Sequence, residues 1–379
     1  MIYLDNSATT KPDPEVVKSF QQVSERFFAN PSSIHQLGGE SEQLLLEAKQ
    51  QCAHLLHVEP EEIIFTSGGT EGNNLAIKGI AFEHRGRGKH IITSEIEHSS
   101  VYETCKALER LGFRVTYLPV DERGVISIDD LKRAITDDTI LITIMHVNNE
   151  LGSIQPIEQI GQLAKKYPKL YVHVDDVQGL GKVPFRLKAS GIDLCTMSGH
   201  KIHGLKGTGI LYAHKRTSLF PLFHGGNQEG SRRAGTENLA GAVSLAKALR
   251  LAKEKEQTEV KRMYELHHYM RSELKMIKHI EVNTPERAAP HIMNFSVPGL
   301  KPEVLIHMLG EKQIYISTKS ACSSKQIDDH RILSACGYDE SRSKSALRVS
   351  LTYDTTKEQI NTFIDVLKDS INRLKEVME

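Results

Sequence analysis

The sequence lacks an excess of charge: 48 lysines and arginines stand against 48 aspartates and glutamates. No whole-chain field draws the protein to phosphate backbones, so nucleic acid is not an expected direct partner. Nowhere does it hold an apolar run of the ~18 residues that a membrane span needs. Its opening stretch, MIYLDNSATTKPDPE, lacks the basic-then-apolar layout of a secretory signal, and the expectation is a cytoplasmic protein without a membrane anchor. Cysteine is scarce. Cys52, Cys105, Cys195, Cys322 and Cys336 form no C-x-x-C, which excludes a disulfide scaffold and a zinc knuckle. No G-x-G-x-x-G opens a helix after the first strand. The P-loop frame at Gly181-Lys182 fails too, with Asp176 at the first glycine position and Val183 where Ser or Thr is required. Internal repeats and low-complexity segments are also missing.

What remains is a globular composition, 39% apolar and 25% charged. The 379 residues exceed the ~250–300 at which one core stops growing, so two domains are expected. The first two-thirds alternate short β-branched runs with helical stretches. The strand candidates are EEIIF (61–65), KHIITS (89–94), RVTYLPV (114–120), TILITIMHV (139–147), KLYVHVD (169–175), IDLCTMS (192–198) and TGILYA (208–213). Near-continuous apolar strands separated by helices predict an α/β fold, a mostly parallel seven-stranded sheet covered on both faces. A long helical pattern follows from about residue 238 to 278. Shorter pieces then predict a smaller α+β domain: HIEVN, HIMNFSV, a helix at Pro302–Gly310, QIYIS, ALRVSLTY and a last helix from Thr356. The expected division is an N-terminal segment (1–13) joining the small domain, a large domain (14–255) and a small domain (256–379).

In an open parallel sheet, ligands bind beyond the carboxyl ends of the strands. Those positions here are SGGTEGNN (67–74), SEIEHSS (94–100), NNELG (148–152), DDVQG (175–179) and SGHKIHGLKG (198–207), all polar or glycine-rich. Gly68-Gly69-Thr70 joins a strand to a helix, an arrangement that can cradle a phosphate or merely cap the helix. Asp175 ends an apolar strand, where a carboxylate needs a cationic partner, either a structural lysine or arginine or a protonated ring nitrogen. Gln178 can add a hydrogen bond to the same ligand. Lys201 follows another apolar strand and is flanked by glycine, hydroxyl and imidazole groups, a setting in which a lysine forms Schiff bases. The pairs His200-x-x-His203 and His54-x-x-His57 lack a third ligand, so no metal is expected. A phosphate cradle, a rim carboxylate, a strand-end lysine and a ring such as His98 for stacking together match pyridoxal phosphate (PLP).

The motifs YLDNSATT, NPSSIH, TSGGTEGNN, SEIEHSSV, MHVNNELGSIQP, HVDDVQ, SGHKIHGLKG, GGNQEGSRRAGTEN, SAC and ALRVSL run in order from residue 3 to about 352. Together they resemble the cysteine desulfurases, PLP enzymes of the aspartate-aminotransferase-like fold type I. The resemblance implies Lys201 as the Schiff-base lysine, Asp175 as the partner of the pyridinium, and His98 as the stacking and proton-moving group. It implies Gly69, Thr70, Ser198 and His200 around the phosphate, with Gln178 and Asn149 at the ring oxygen and substrate side. Thr236 would reach the phosphate of a neighbouring subunit, making a homodimer. Arg348 would grip the substrate carboxylate through its guanidinium fork. Ser-Ala-Cys occurs twice. Cys322 follows a strand and precedes a polar stretch from which a loop can carry a thiol, whereas Cys336 ends a helical pattern and is expected to pack. Cys322 lies 26 positions before Arg348, the family's spacing, and is the expected nucleophile.

The implied reaction turns L-cysteine into L-alanine, with sulfur held as a persulfide on Cys322 and then given to an acceptor protein. That sulfur would serve iron–sulfur cluster assembly or tRNA or thiamine thiolation. The alternatives are a selenocysteine lyase or aminotransferase, which would not need Cys322, and a non-catalytic partner in a sulfur relay. One departure stands out: Asp176 occupies a position where the family commonly has alanine, placing a second carboxylate beside Asp175.

Overall fold

A computed structural model describes residues 1–318 and 330–378. Seven strands form the central sheet: β2 (Ile63–Thr66), β3 (His90–Ser94), β4 (Arg114–Leu118), β5 (Thr139–Met145), β6 (Tyr171–Asp175), β7 (Leu194–Ser198) and β8 (Gly209–Ala213), preceded in the chain by β1 (Ile2–Tyr3). Their order is β2-β8-β7-β6-β5-β3-β4. β8 runs antiparallel to both neighbours, and every other pairing is parallel. The sheet is therefore mostly parallel, and the apolar runs read from the sequence all lie within it.

The continuous apolar runs reflect burial on both faces. Alternate residues enter separate cores. Ile92, Ile142, Ile144, Val172, Val174 and Met197 pack on one side. On the other side lie Ile64, Ile91, Leu141, Leu194 and Leu211. Each such side chain contributes about 1.5–3 kcal/mol by leaving water.

The smaller layer consists of β9 (Glu281–Val282), β10 (Ile292–Ser296), β11 (Ile314–Tyr315) and β12 (Ala346–Ser350) with their helices. β12-β10-β9 form an antiparallel sheet, and β1 pairs with β11. Leu4 joins Met293, Phe295, Leu347 and Phe363 in that core, which draws the first residues of the chain against its last third.

Helix Leu239–Lys275 is continuous for 37 residues. Leu245, Leu249 and Ala252 pack on the large-sheet core, whereas Met263, Leu266 and Met270 pack on the other. The change of core near residue 255 thus falls inside one unbroken helix. Among the described residues no helix is long and apolar enough to cross a membrane.

Candidate active site

The carboxyl ends of β2, β3, β5, β6 and β7 open onto one cleft of about 700 Å³, its mouth included. Gly69, Thr70, His98, Asn149, Asp175, Gln178, Ser198, His200, Lys201 and Arg348 all line it. Of the expected site residues, only Thr236 and Cys322 are not among them. Thr236 lies in a separate pocket with Ser67, Arg233 and Asn238. Cys322 is outside the described residues.

Lys201 ends a short 3-10 turn, Gly199–Lys201, directly after β7. Its amine donates to the Ser7 carbonyl and, at 2.9 Å, to that of Ala8. His200 is bound to the same N-terminal segment: its carbonyl accepts from Thr10 N–H at 2.9 Å, and its Nδ1 lies 3.2 Å from Thr9 Oγ1. Burial, with Lys201 adjoining, pushes the His200 imidazole down to about 4.

Asp175 closes β6 with one oxygen accepting from Asn73 Nδ2 at 2.8 Å and the other from Val177 N–H at 3.0 Å. Both donors are neutral. Asn73 also donates to Ser100 Oγ at 2.8 Å, which in turn is 2.8 Å from His98 Nδ1. A hydrogen-bonded chain thus runs from the rim carboxylate to the imidazole on the cleft wall. Burial lowers the proton affinity of His98 and Asp175 partly offsets it, so the ring is neutral near pH 7.

Helix Gly69–Glu83 begins at Gly68 with no side-chain cap on its first N–H groups. Gly68 has φ +147°, and a Cβ at the facing Gly209 would stand 2.7 Å from its Cα. Gly69 and Gly209 leave no room for a side chain, Gly68 is held by its φ, and the helix start presents uncapped N–H groups, which suits an anion.

Arg348, on β12, is 1% exposed. It donates to the Asn149 carbonyl at 2.8 Å and pairs with Asp5 at 2.9 Å, while its Nε has no partner. Burial raises the proton affinity of Asp5, and Arg348 opposes that rise. Gln178 donates to the Ser7 carbonyl at 3.0 Å.

Fifteen buried side-chain polar atoms among the described residues lack a hydrogen-bond partner. Five of them belong to this cleft: Ser7 Oγ, Asn73 Oδ1, Asn149 Oδ1, Ser198 Oγ and Arg348 Nε. Buried polar groups are nearly always satisfied, so a cluster of orphans marks the place of a polar ligand. An uncapped helix start beside an orphaned hydroxyl suits a phosphate, and a carboxylate held only by neutral donors suits a protonated ring nitrogen. The residues present therefore fit PLP.

The sequence argument missed the N-terminal contribution. Ser7 and Ala8 touch Lys201, yet their partners lie more than 190 positions away. Asn73 was also missed, although it sits one helical turn beyond Gly69 on the same face. The remaining thiols conform to the expected packing. Cys52, Cys105, Cys195 and Cys336 are buried, and burial pushes Cys52, Cys105 and Cys336 up to about 12 and Cys195 well above its ordinary value. Among the described residues no cluster of three or more His, Cys, Asp or Glu side chains could hold a metal ion.

A doubly covered, mostly parallel sheet with a lysine, a carboxylate and an anion cradle at its carboxyl edge defines an enzyme of the PLP-binding α/β class. The chain belongs to the aminotransferase class-V family, whose pattern matches residues 2–363; the cofactor of that family is PLP. It is 43% identical over 378 residues to a cysteine desulfurase IscS of Dictyoglomus turgidum, covering 99% of this chain and 96% of that one. It is 46% identical over 367 residues to a NifS/IcsS protein homolog of Lactobacillus delbrueckii subsp. bulgaricus, covering 96% and 95%. Among solved structures, a NifS-like protein superposes with a TM-score of 0.92 at 36% identity, covering 98% of this chain and 99% of that one. SspA, solved in complex with cysteine, gives 0.79 at 34% identity, covering 93% and 99%.

Proposed function

We propose that the protein is a cysteine desulfurase: it converts L-cysteine to L-alanine and passes the sulfur, held as a persulfide on Cys322, to an acceptor protein. The observation that carries this reading is the meeting of Lys201, Asp175 and Arg348 on one cleft lined by orphaned polar atoms. The similarity to proteins named cysteine desulfurase supports the substrate. The burial of the other four thiols leaves Cys322 as the candidate nucleophile.

Each residue has a task. The N–H groups at the start of helix Gly69–Glu83, with Thr70, Ser198 and His200, hold the phosphate. Asp175 would pair with the ring nitrogen, His98 would stack on the ring, and Gln178 and Asn149 would serve the ring oxygen and the substrate. Arg348 binds the substrate carboxylate. Bound PLP supplies an electron sink for the substrate's α-carbon. Lys201 would carry the cofactor, and its amine would accept the substrate's α-proton, with His98 as a second proton carrier. The Cys322 thiolate attacks the substrate sulfur, forming an S–S bond as the Cβ–S bond breaks. The electron pair returns to the carbon skeleton, which takes up protons and departs as alanine.

On this reading Thr236, outside the cleft, serves the phosphate site of a second subunit in a homodimer. The enzyme works in the cytoplasm, and its acceptor belongs to iron–sulfur cluster assembly or to tRNA or thiamine thiolation.

The test combines absorption spectra with sulfide release from cysteine. The wild type with PLP should show the visible band of a lysine Schiff base, and Lys201→Ala should lose it. Cys322→Ala should keep the band and release no sulfide. Sulfide release at the wild-type rate from Cys322→Ala would refute the assigned nucleophile and favour a lyase that does not need it.

A further inference from the structure

Behind Lys201 lies a buried charged cluster that the reaction outlined above does not use. Lys182, on the loop after β6, is 6% exposed, and its Nζ donates to the main-chain carbonyl of Lys201 at 3.1 Å. Asp176 and His146 are both buried, with Oδ1 and Nδ1 2.7 Å apart. Gly179 makes room for that pair, because a Cβ there would collide with the Asp176 carboxylate and the His146 ring. Four titratable groups act on the Lys182 ammonium: Asp176 on its own loop, Glu256 on the long helix, and the His291 and His203 imidazoles. Asp176 and Glu256 attract it; burial raises the proton affinity of Asp176 while His146 opposes that rise, and Glu256 also pairs with Lys253 at 2.7 Å. Burial lowers the proton affinity of the His291 and His203 imidazoles, so they are uncharged near pH 7. Burial also pushes Lys182 down to about 8, which leaves it protonated in neutral solution.

A buried ammonium is costly and persists where it is paired and hydrogen-bonded. Besides a 3.5 Å contact to the Leu180 carbonyl, its shorter hydrogen bond falls on the backbone of Lys201, the residue read as carrying the cofactor. We propose that Lys182 is a positioning residue for Lys201: its ammonium, balanced by Asp176, clamps the Lys201 carbonyl and fixes the 3-10 turn that aims the Lys201 amine into the cleft. The proposal rests on the reading of Lys201 as the PLP-bearing lysine. Protonated in neutral solution and bonded to the Lys201 backbone, Lys182 would also oppose a second positive charge on the Lys201 amine below about pH 8.

The experiment is a pH titration of the visible band of the PLP-loaded protein, together with the rate at which stripped protein regains the band on adding PLP. In Lys182→Met the titration midpoint should rise by roughly half a unit or more, and recovery of the band should slow about tenfold. Lys182→Arg keeps the charge and should restore most of both. Asp176→Asn leaves the ammonium unbalanced and should move the midpoint downward. Failure of Lys182→Met to fold leaves Asp176→Asn as the deciding variant. An unmoved midpoint in whichever variant folds, or a downward shift in Lys182→Met, overturns the proposal. Absence of any band in the wild type, or its survival in Lys201→Ala, would instead overturn the cofactor reading on which it rests.

Discussion

Acid should weaken this fold through one imidazole in the middle of the sheet. His173 sits on β6, two residues before Asp175 and on the same face, with Thr143 Oγ1 on β5 at 2.8 Å and Thr196 Oγ1 on β7 at 2.9 Å. It is fully buried, and burial alone pushes the ring down to about 3 from 6.5. The native state thus keeps His173 neutral where the unfolded chain takes up a proton. Between about pH 6.5 and pH 3 the unfolded state binds more protons, so stability falls as pH falls. At about pH 5 the folded ring is still neutral and the unfolded one is protonated across ~1.5 units, a loss of about 2 kcal/mol at ~1.4 kcal/mol per unit. His90, held at about 4 by burial, adds a loss of the same sign. His173→Gln keeps a donor and an acceptor but cannot titrate. Urea unfolding of both proteins, followed by circular dichroism near neutral pH and again about two units lower, isolates the His173 share. The wild type should lose about 2 kcal/mol more than the variant between the two conditions. Equal losses would refute the argument and show that the native site accepts the proton.

Two further perturbations bear on the cleft. Arg348→Lys keeps the charge but cannot serve Asp5, the Asn149 carbonyl and a substrate carboxylate together; a lost charge-assisted pair worth ~1.5–3 kcal/mol predicts a KM for cysteine roughly 10- to 100-fold higher. An unchanged KM in steady-state kinetics would remove Arg348 from the substrate site. Gly68→Ala puts a side chain at φ +147°, a conformation that favours glycine, so thermal unfolding should report a loss of about 1–3 kcal/mol. PLP titration of the same variant should show weaker binding, and if neither quantity changes, the anion cradle is misplaced.

The legibility of the site followed the range of its interactions. Asp175, Ser198 and Lys201 were readable because each ends or follows an apolar strand, and burial on both faces writes that strand as an unbroken run. The helix start at Gly69 was readable for the same local reason. What the sequence did not disclose is held together across long separations. Ser7 and Ala8 meet Lys201 only in the folded chain, and Asp176 finds His146 only once β5 and β6 lie side by side. The pattern predicted a domain boundary near residue 255, and the buried partners of the helix change between Ala252 and Met263. The helix runs unbroken across it, and a switch of buried partner leaves no break in helical periodicity.

The contact between the first residues and the end of β12 sets an order of events during synthesis. Asn6 donates to the Ser350 carbonyl at 2.8 Å, and Ser7 N–H donates to Ser350 Oγ at 2.8 Å. The carbonyls that hold the Lys201 amine are thus locked by a residue made more than 340 positions later. A ribosome that has finished the whole central sheet has still not made the last wall of the cleft. On the proposed role of Lys201, its pocket would therefore close only after β12 is made, and a nascent chain cut before Ser350 should emerge without a competent pocket.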